Sequence, residues 1–345
     1  MTKMDSIISE LKLTKEQLKD KEVQNFLMQV AYRKQTGKWI QGWNGNGYVE
    51  LNKENGTSIR TIIDDEPYVA EFPENIDMEI SNRCTNGCAF CYANCTPDGK
   101  HADIRKFIED ENSFLYTLRP GTELALNGNE PLHPDLEMLL QFCKDRNIFA
   151  NLTVHENTLL NHKEQLDMWL NEGLIHGIGI SPSQWSNEMI EFAETHPTSV
   201  IHTIVGITSL KQYKSIYDKG IKVLILGYKD FGRGVSYANY NPGSIENLTK
   251  YLEEEVSQFP KHFKVVSFDN LAIKQLNPKS WIGEKKWETV YRGDDGSHTM
   301  FIDLVNETYA KNSMQERENH TPLTNDICEM LKDVQSKKEA NNGSI

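Results

Sequence analysis

The sequence predicts an α/β fold: a partial (β/α)6 barrel of the TIM type with an N-terminal helix–hairpin extension and a C-terminal hairpin and helix. From about residue 76, short β-type runs alternate with amphipathic helical patterns. Such alternation is typical of parallel βα units joined by right-handed crossovers. The length of 345 residues suffices for one sizeable barrel with appendages, or for two ordinary domains. We therefore expect domains at residues 1–75, 76–275 and 276–345.

The N-terminal extension begins with residues 5–37, where the spacing of apolar residues predicts two polar helices. Residues 47–51 and 59–63 are two β-type runs on either side of Asn55-Gly56, a dipeptide that favours a hairpin turn. The stretch Gly45-Asn46-Gly47 resembles part of a dinucleotide-binding fingerprint. Because it opens a hairpin rather than a helix, we interpret it as a turn.

The core is predicted to contain seven strands. In chain order they are residues 77–81, 123–126, 149–154, 177–181, 200–205, 223–226 and 263–268. Helical patterns between them cover residues 135–146, 159–172, 187–195, 210–219 and 245–258. In a barrel of this kind, the active-site loops lie at the carboxyl ends of the strands. The alternation by itself also allows a doubly wound open sheet.

The C-terminal extension begins where the alternation stops, after residue 280. Residues 294–296 form a turn signal before an extended run at 299–305, with residues 307–310 as its hairpin partner. A helix is expected around residues 326–335, followed by a frayed segment at 337–345.

Composition restricts the class of protein. A hydrophobic content of 38% with 25% charged residues is typical of a soluble globular chain. The N-terminus has no apolar signal-peptide region, and no apolar run is long enough to span a bilayer. We therefore expect a cytoplasmic protein with no membrane association. The net charge of −13 argues against nucleic-acid binding, which depends on clustered Lys and Arg.

Four of the six cysteines fall close together, at Cys84, Cys88, Cys91 and Cys95. A disulfide framework would distribute its cysteines along a short secreted chain, whereas a tight cluster in a cytosolic chain indicates metal. The C-x3-C-x2-C spacing of the first three lets three thiolates from one loop reach three irons of a cubane. A [4Fe–4S] cluster normally has four cysteine ligands, so three leave one iron open for a substrate or cofactor.

An alternative is a closed site in which Cys95 is the fourth ligand of zinc or of an iron–sulfur cluster. Zinc sites commonly combine C-x2-C with a distant second pair, which this chain lacks. We interpret Cys95 instead as a small half-buried thiol at the start of the next helix, and Cys143 as a core residue.

The cysteine stretch resembles the signature of the radical S-adenosylmethionine (radical SAM) family, in which an aromatic residue precedes the third cysteine. Phe90 occupies that place, and the resemblance implies that it packs against the adenine of S-adenosylmethionine (SAM). A second similarity is Asn127-Gly-Asn-Glu-Pro131 at the end of the second predicted strand, where the family has a Gly-Gly-Glu-Pro type motif. By resemblance, Gly128, Asn129 and Glu130 receive the methionine amino group of SAM. Asn129 departs from the usual second glycine.

The resemblance covers roughly residues 76–270. It implies a [4Fe–4S] cluster on Cys84, Cys88 and Cys91 that reductively cleaves SAM to a 5′-deoxyadenosyl radical, which abstracts hydrogen from a substrate. It also implies an external electron donor such as flavodoxin or ferredoxin. No second cysteine cluster exists in the sequence, so no auxiliary cluster is expected.

Several residues at predicted strand ends are further candidates. Ser181 is placed to meet the SAM ribose or carboxylate, or it caps its strand. His155 shares one strand face with Asn151 and Thr153. It is a catalytic candidate, with a structural role as the alternative.

The loop after the sixth strand supplies the remaining candidates. Gly227 allows a close approach to adenine, whereas Lys229 and Arg233 could hold the SAM carboxylate or an anionic substrate group. A glycine-rich turn with solvated charges is the alternative for this loop. Asp269, at the end of the seventh strand, could meet substrate or cap the following segment.

The sequence does not specify the substrate. A peptide or protein substrate is one hypothesis, because the hairpin at residues 291–310 weakly resembles the C-terminal extension called SPASM or twitch, without its cysteines. A nucleotide or other small metabolite is the second hypothesis, favoured by Lys229 and Arg233. A non-catalytic four-cysteine iron–sulfur or zinc protein is the third.

Overall fold

The computed structural model describes residues 3–62 and 66–342. Its α-helices are α1 Lys3–Glu10, α2 Lys21–Thr36, α3 Ile104–Glu109, α4 Leu136–Asp145, α5 Glu156–Asn161, α6 Lys163–Asn171, α7 Asn187–Thr195, α8 Leu210–Ser215, α9 Arg233–Tyr240, α10 Pro242–Glu255, α11 Asn270–Leu276, α12 Lys279–Ile282, α13 Glu284–Val290 and α14 Ile327–Asn342. Its strands are β1 Trp39–Asn44, β2 Gly47–Asn52, β3 Ser58–Ile62, β4 Asn75–Glu79, β5 Glu123–Gly128, β6 Phe149–His155, β7 Gly177–Ser181, β8 Ser199–Ile204, β9 Lys222–Leu226, β10 Val265–Phe268, β11 Thr299–Asp303, β12 Thr308–Ala310 and β13 Thr321–Pro322.

The main sheet has ten strands, most of them parallel, in the order β10-β9-β8-β7-β6-β5-β4-β11-β12-β13. Strands β4 to β10 follow one another without reversal, and each pairs in parallel with the next. This is the order of a singly wound sheet rather than of the doubly wound alternative. In the described part of the chain β10 and β13 are the two edges, so hydrogen bonding does not close the sheet. In the described residues the parallel run has eight strands rather than six, because β10 pairs with β9 at one end and β11 pairs with β4 at the other.

The two faces of the parallel strands differ in chemistry. In β5, Leu124 and Leu126 are buried in the main hydrophobic core, whereas Glu123, Ala125 and Asn127 line a cavity. The same alternation continues from β6 to β9, as a pleated strand requires. The apolar face packs with helix residues such as Leu139 and Trp169, which places the helical layer on that side.

The sheet curves around the cavity. Laid flat, seven strands would span roughly 29 Å from the first to the last. Residues from every strand between β4 and β10 nevertheless line one cavity of about 980 Å³. The confirmed α/β architecture therefore places the polar faces of the parallel strands around one open cavity.

Strand β11 joins this sheet at its first strand. It pairs in parallel with β4, and β12 returns antiparallel to it. The predicted C-terminal hairpin is confirmed, and its position beside β4 extends the main sheet. Arg317 holds this arrangement by donating to the carboxylates of both Glu79 on β4 and Asp303 on β11.

The N-terminal extension has its own small core. Ile7 and Leu11 of α1, Leu27 and Val30 of α2, and Tyr48 of β2 are buried together. Strands β1, β2 and β3 form a separate antiparallel sheet. The two predicted helices, the hairpin around Asn55-Gly56 and the turn at Gly45 are confirmed.

Some local predictions differ from the structure. Residues 159–172 form two helices, α5 and α6, rather than one. The glycine-rich loop after β9 is present as far as Gly232, and α9 begins at the next residue. Helix α14 continues to Asn342 through most of the segment expected to fray. The predicted hairpin end at residue 63 and the last three residues lie outside the described residues. No helix in the described ranges is long and apolar enough to cross a membrane.

Candidate functional site

The candidate site is the main cavity at the carboxyl ends of the parallel strands. Cys84, Cys88 and Cys91 line it from the loop that follows β4. All three are free thiols and half-buried. The sequence therefore brings the predicted ligand loop to the end of the sheet where barrel active sites lie.

Backbone contacts fix the shape of the cysteine loop. The Cys91 N–H donates to the Cys88 carbonyl oxygen at 3.2 Å, and the Cys84 N–H donates to the Thr96 carbonyl oxygen at 2.8 Å. The Asn86 amide lies 3.6 Å from the Cys84 sulfur and donates to Thr158 at 3.1 Å. These contacts tie both ends of the C-x3-C-x2-C segment to the body of the protein.

Arg233 supports the same loop from α9. Its Nε donates to the Cys88 carbonyl oxygen at 3.0 Å, and its Nη1 donates to the Cys95 carbonyl oxygen at 2.8 Å. Its backbone N–H donates to the Cys91 carbonyl oxygen at 3.1 Å. The guanidinium does not line the cavity. It lies behind the cysteine loop and holds it, rather than facing an anion as the sequence suggested.

Gly232 allows this close approach of α9. Its φ of +52° lies in the region that favours glycine. A Cβ at this position would lie 2.5 Å from the Tyr92 carbonyl oxygen and 3.0 Å from that of Cys91. Any larger residue would push α9 and Arg233 away from the cysteine loop.

The thiols have unequal acidity. A hydrogen bond with the Cys95 side chain lowers the pKa of Cys91 to about 6. Burial, with the charges of Cys91 and Cys84, raises the pKa of Cys88. The thiolate is the form that binds metal. Cys91 therefore gives up its proton more readily than Cys88.

Cys95 does not lie at the start of a helix. It is buried in a turn-rich loop, and the next helix, α3, begins only at Ile104. The expectation that it starts a helix is wrong, because the chain makes turns through Thr96 and Pro97 to bring residue 99 against Asn82. The Asn129 side-chain amide lies 3.7 Å from the Cys95 sulfur.

Metal binding by the site depends on the geometry of the ligands. Within residues 3–62 and 66–342, no group of three His, Cys, Asp or Glu side chains converges to hold a single ion. A cubane cluster requires a different ligand geometry, because each cysteine binds a different iron and the sulfurs do not meet at one point. Four cysteines border this cavity, and three of them, Cys84, Cys88 and Cys91, have the spacing of a donor set that fits a cluster.

The motif at Asn127–Pro131 lies against the cysteine loop. The Thr85 N–H donates to the Glu130 carbonyl oxygen at 2.7 Å. The side-chain amides of Asn127 and Asn129 both donate to the Ser81 carbonyl oxygen, at 2.6 and 2.8 Å. Gly128 and Asn129 line the cavity. The two motifs singled out in the sequence are therefore in direct contact.

The Glu130 carboxylate is placed differently from its neighbours in the motif. It lies behind the cavity wall, with Oε1 at 3.4 Å from His162 Nε2. Its Oε2 is buried and has no hydrogen-bond partner in the described part of the protein. A buried carboxylate oxygen without a donor is costly, so this atom is open to an additional donor.

Phe90 and Ser181 both border the cavity. The Phe90 ring packs edge-on against Tyr237 of α9, with 5.7 Å between ring centres. Ser181 ends β7 beside His155, which ends β6. The His155 imidazole also lines the cavity, but its Nδ1 accepts the Asn157 N–H at 3.1 Å and so caps α5.

Gly227 and Asp269 have structural partners. Asp269 caps α11 by accepting the Ala272 N–H at 2.7 Å, and the same oxygen accepts the Gly227 N–H at 2.9 Å. A Cβ on Gly227 would lie 2.4 Å from Leu271 Cγ. The close approach that requires glycine here is to α11, although Gly227 also lines the cavity.

Lys229 extends into the cavity. Its Nζ donates to Ser313 at 3.1 Å and lies 3.9 Å from the centre of the Tyr92 ring. Burial acts to lower the pKa of Lys229, but the neighbouring Tyr92 and Asp77 outweigh burial and raise it. The ammonium is therefore held in its charged form beside the cysteine loop.

Other polar cavity residues were not recognised as candidates from the sequence. These are Asp77 on β4, Glu123 on β5 and His202 on β8. Burial raises the pKa of Glu123 to about 7 and lowers that of His202 to about 4. The sequence pattern of β4 could have identified Asp77 as a candidate. Asn75, Asp77 and Glu79 alternate with apolar residues and so share the face that lines the cavity.

Comparisons with known proteins do not identify a family for this chain. Neither the scan against protein-family profiles nor the search of curated proteins gave a match.

Proposed function

We propose that this chain is a radical SAM enzyme built on a partial (β/α) barrel, in which Cys84, Cys88 and Cys91 bind one [4Fe–4S] cluster. The observation that carries the proposal is the contact between two sequence motifs at one end of a singly wound parallel sheet. The cysteine loop after β4 rests on the Glu130 carbonyl oxygen after β5, and both segments border the same cavity. An electron donor such as flavodoxin or ferredoxin would supply the reducing equivalent.

When bound, the cluster and SAM would supply reductive cleavage of SAM and hydrogen abstraction from the substrate. The residues of the chain have separate tasks. Arg233 and Asn86 hold the cysteine loop in shape. The Phe90 ring offers an apolar surface for adenine at the cavity wall. The polar groups at the strand ends orient the remaining parts of the ligand.

Lys229 supports recognition of the amino-acid part of SAM. It provides a fixed positive charge in the cavity, beside Tyr92 of the cysteine loop, and the carboxylate of the ligand would compensate that charge. Glu130 contributes through its backbone carbonyl oxygen, which supports the cysteine loop, because its carboxylate lies behind the cavity wall.

The proposal is tested by reconstituting the chain with iron and sulfide under anaerobic conditions and assaying 5′-deoxyadenosine after reduction with SAM present. We expect product from the wild type, and none from Cys84→Ala, Cys88→Ala or Cys91→Ala. Cys95→Ala and Cys328→Ala should keep the cluster, as judged by iron content and the visible absorption of the cluster. Cys328, in α14, is the matched control for loss of a half-buried thiol.

The alternative of a closed four-cysteine site gives a different pattern. Cys95→Ala would then lose iron as completely as the other three, and SAM would neither bind nor change the spectrum of the cluster. A zinc site would show zinc in the protein as purified and no absorption from iron and sulfide.

A further inference from the structure

The part of the main cavity that lies farther from the carboxyl ends of the strands is a second polar region, which we call the lower cavity. It is lined by residues in the middle and first halves of the strands. Register places Asp77 of β4, Ala125 of β5, Asn151 of β6 and Gly177 of β7 in one row across the sheet. All four border the cavity. Ala125 and Gly177 are small, so open space lies in front of the row.

Asp77 is the distinctive member of this row. Its side chain borders the cavity and is open to solvent there. In the described part of the chain its carboxylate makes no hydrogen bond or ion pair. Burial raises the pKa of Asp77, and the nearby Lys229 only partly opposes this. A carboxylate in this setting is stabilised by any donor that enters the cavity.

The other charged groups near Asp77 already have partners. Glu79 is paired with Arg317. Asp269 accepts two backbone N–H groups, and Asp295 accepts the side-chain amides of Asn270 and Asn312. Lys229 Nζ donates to Ser313. Asp77 is therefore the carboxylate of this group that accepts no hydrogen bond within the described residues, and the ammonium of Lys229 is the nearby positive charge that acts on it.

The surroundings of Asp77 suit a cation more than a neutral donor. Phe301 of β11 lies directly beside Asp77 in the register, and it also borders the cavity. An aromatic wall next to a carboxylate stabilises an ammonium through the ring face as well as through charge. Glu123, one row below on β5, adds a second carboxyl group with only one long contact, at 3.4 Å from the Asn151 amide.

We infer that the lower cavity binds an ammonium group of the substrate, with Asp77 as its anionic partner. The substrate is then an amine, and its amino group anchors it in the cavity below the cofactor. A volume of about 980 Å³ lies at the upper end of the range for small-molecule sites and leaves room for a second ligand beside a cofactor. That the bound amine is the substrate rests on the proposed function, whereas the binding itself does not.

The test is a calorimetric titration of the full-length chain, before and after reconstitution, with 1-pentylamine, 1-pentanol and pentanoate. These probes share one alkyl chain and differ in the head group. We expect the amine to bind at least about tenfold more tightly than the alcohol, as one charge-assisted hydrogen bond would give. Asp77→Asn should remove this preference, while Asp145→Asn, an exposed change at the end of α4, should leave it intact.

Equal binding of amine and alcohol by the wild type would overturn the inference, and this comparison does not depend on any variant folding. Preference for pentanoate that is lost in Lys229→Met would also overturn it, because the cavity would then be an anion site. Failure of the proposed function is separate. A chain that prefers the amine through Asp77 but cleaves no SAM refutes the radical chemistry and keeps the amine site.

Discussion

The Nε–H of Arg233 donates a hydrogen bond to the backbone carbonyl oxygen of Cys88 at 3.0 Å. A residue of α9 thereby fixes the middle of a loop that lies far from it in sequence. The same side chain reaches the carbonyl oxygen of Cys95, so one guanidinium spans the second half of the cysteine segment. Contacts within the protein therefore hold the shape of this loop.

Replacing Arg233 with Lys should loosen this loop, because an ammonium cannot reproduce the planar fork of donors. We expect a loss of about 1.5–3 kcal/mol in the free energy of unfolding, measured by urea denaturation of the cluster-free chain. Iron uptake after reconstitution should fall as well. Arg105→Lys is the control, since Arg105 makes a surface ion pair with Asp135. Equal stability of the two variants would contradict the role of Arg233 in holding the cysteine loop.

Glu156 should contribute stability that depends on pH. Burial acts to raise its pKa, but the Ser186 side chain and the N–H groups of Ser183, Gln184 and Ser186 outweigh burial and lower it to about 2. Because the folded pKa lies below the unfolded value of about 4.3, this stability is present above pH 4.3 and is lost as the pH falls towards 2. Glu156→Gln should cost about 2–4 kcal/mol at pH 7.

Urea denaturation at pH 7 and pH 3 measures this effect. The difference between the wild type and Glu156→Gln should be smaller at the lower pH. Glu164→Gln, an exposed change on α6, should be neutral at both values. A penalty for Glu156→Gln that does not change with pH would show that the charge of the carboxylate is unimportant.

Gly227→Ala should destabilise the protein. Its Cβ would lie 2.4 Å from Leu271 Cγ and 2.7 Å from the Ala272 nitrogen, so α11 must move. We expect a cost of about 1–3 kcal/mol, as in other overpacked sites. Gly243→Ala in α10 is the matched control, because a Cβ there meets nothing within 4 Å, and alanine favours the helix. Thermal unfolding that gives both variants the same melting temperature would refute the packing argument.

Arg317→Met should leave two buried carboxylates, Glu79 and Asp303, without their shared cation. Leaving buried acceptors without their donor costs about 1–3 kcal/mol, and the half-exposed position of Arg317 keeps the loss in that range. The triple variant Arg317→Met, Glu79→Gln, Asp303→Asn should recover part of that loss, because the unpaired charges are then removed. Chemical denaturation of the single and triple variants measures the recovery. A triple variant that is less stable than Arg317→Met would contradict this account.

The strands of the core could be predicted from the sequence because their signal is local. Buried residues such as Leu124 and Leu126 alternate with residues that face the cavity, and the resulting pattern marks each strand. The cysteine loop and the Asn127–Pro131 motif were also visible as local patterns. Their contact follows from the fold, since the carboxyl ends of neighbouring parallel strands meet at one edge.

What could not be predicted depends on contacts between distant parts of the chain. The pairing of β11 with β4 has no local signature, and neither does the position of Arg233 behind the cysteine loop. Asp269 and Gly227 were taken as possible ligand contacts because each ends a strand. Only the structure showed that they bond to each other, through the Gly227 N–H and the Asp269 carboxylate.

The pairing of β4 with both β5 and β11 has a consequence for how the protein is made. On a ribosome, β4 emerges early and meets β5 soon afterwards, but its other side stays unpaired until β11 has been synthesised. An exposed strand edge invites association with other chains. During that interval the newborn chain depends on chaperones or on a low local concentration of itself, and slowing its synthesis would lengthen the exposure.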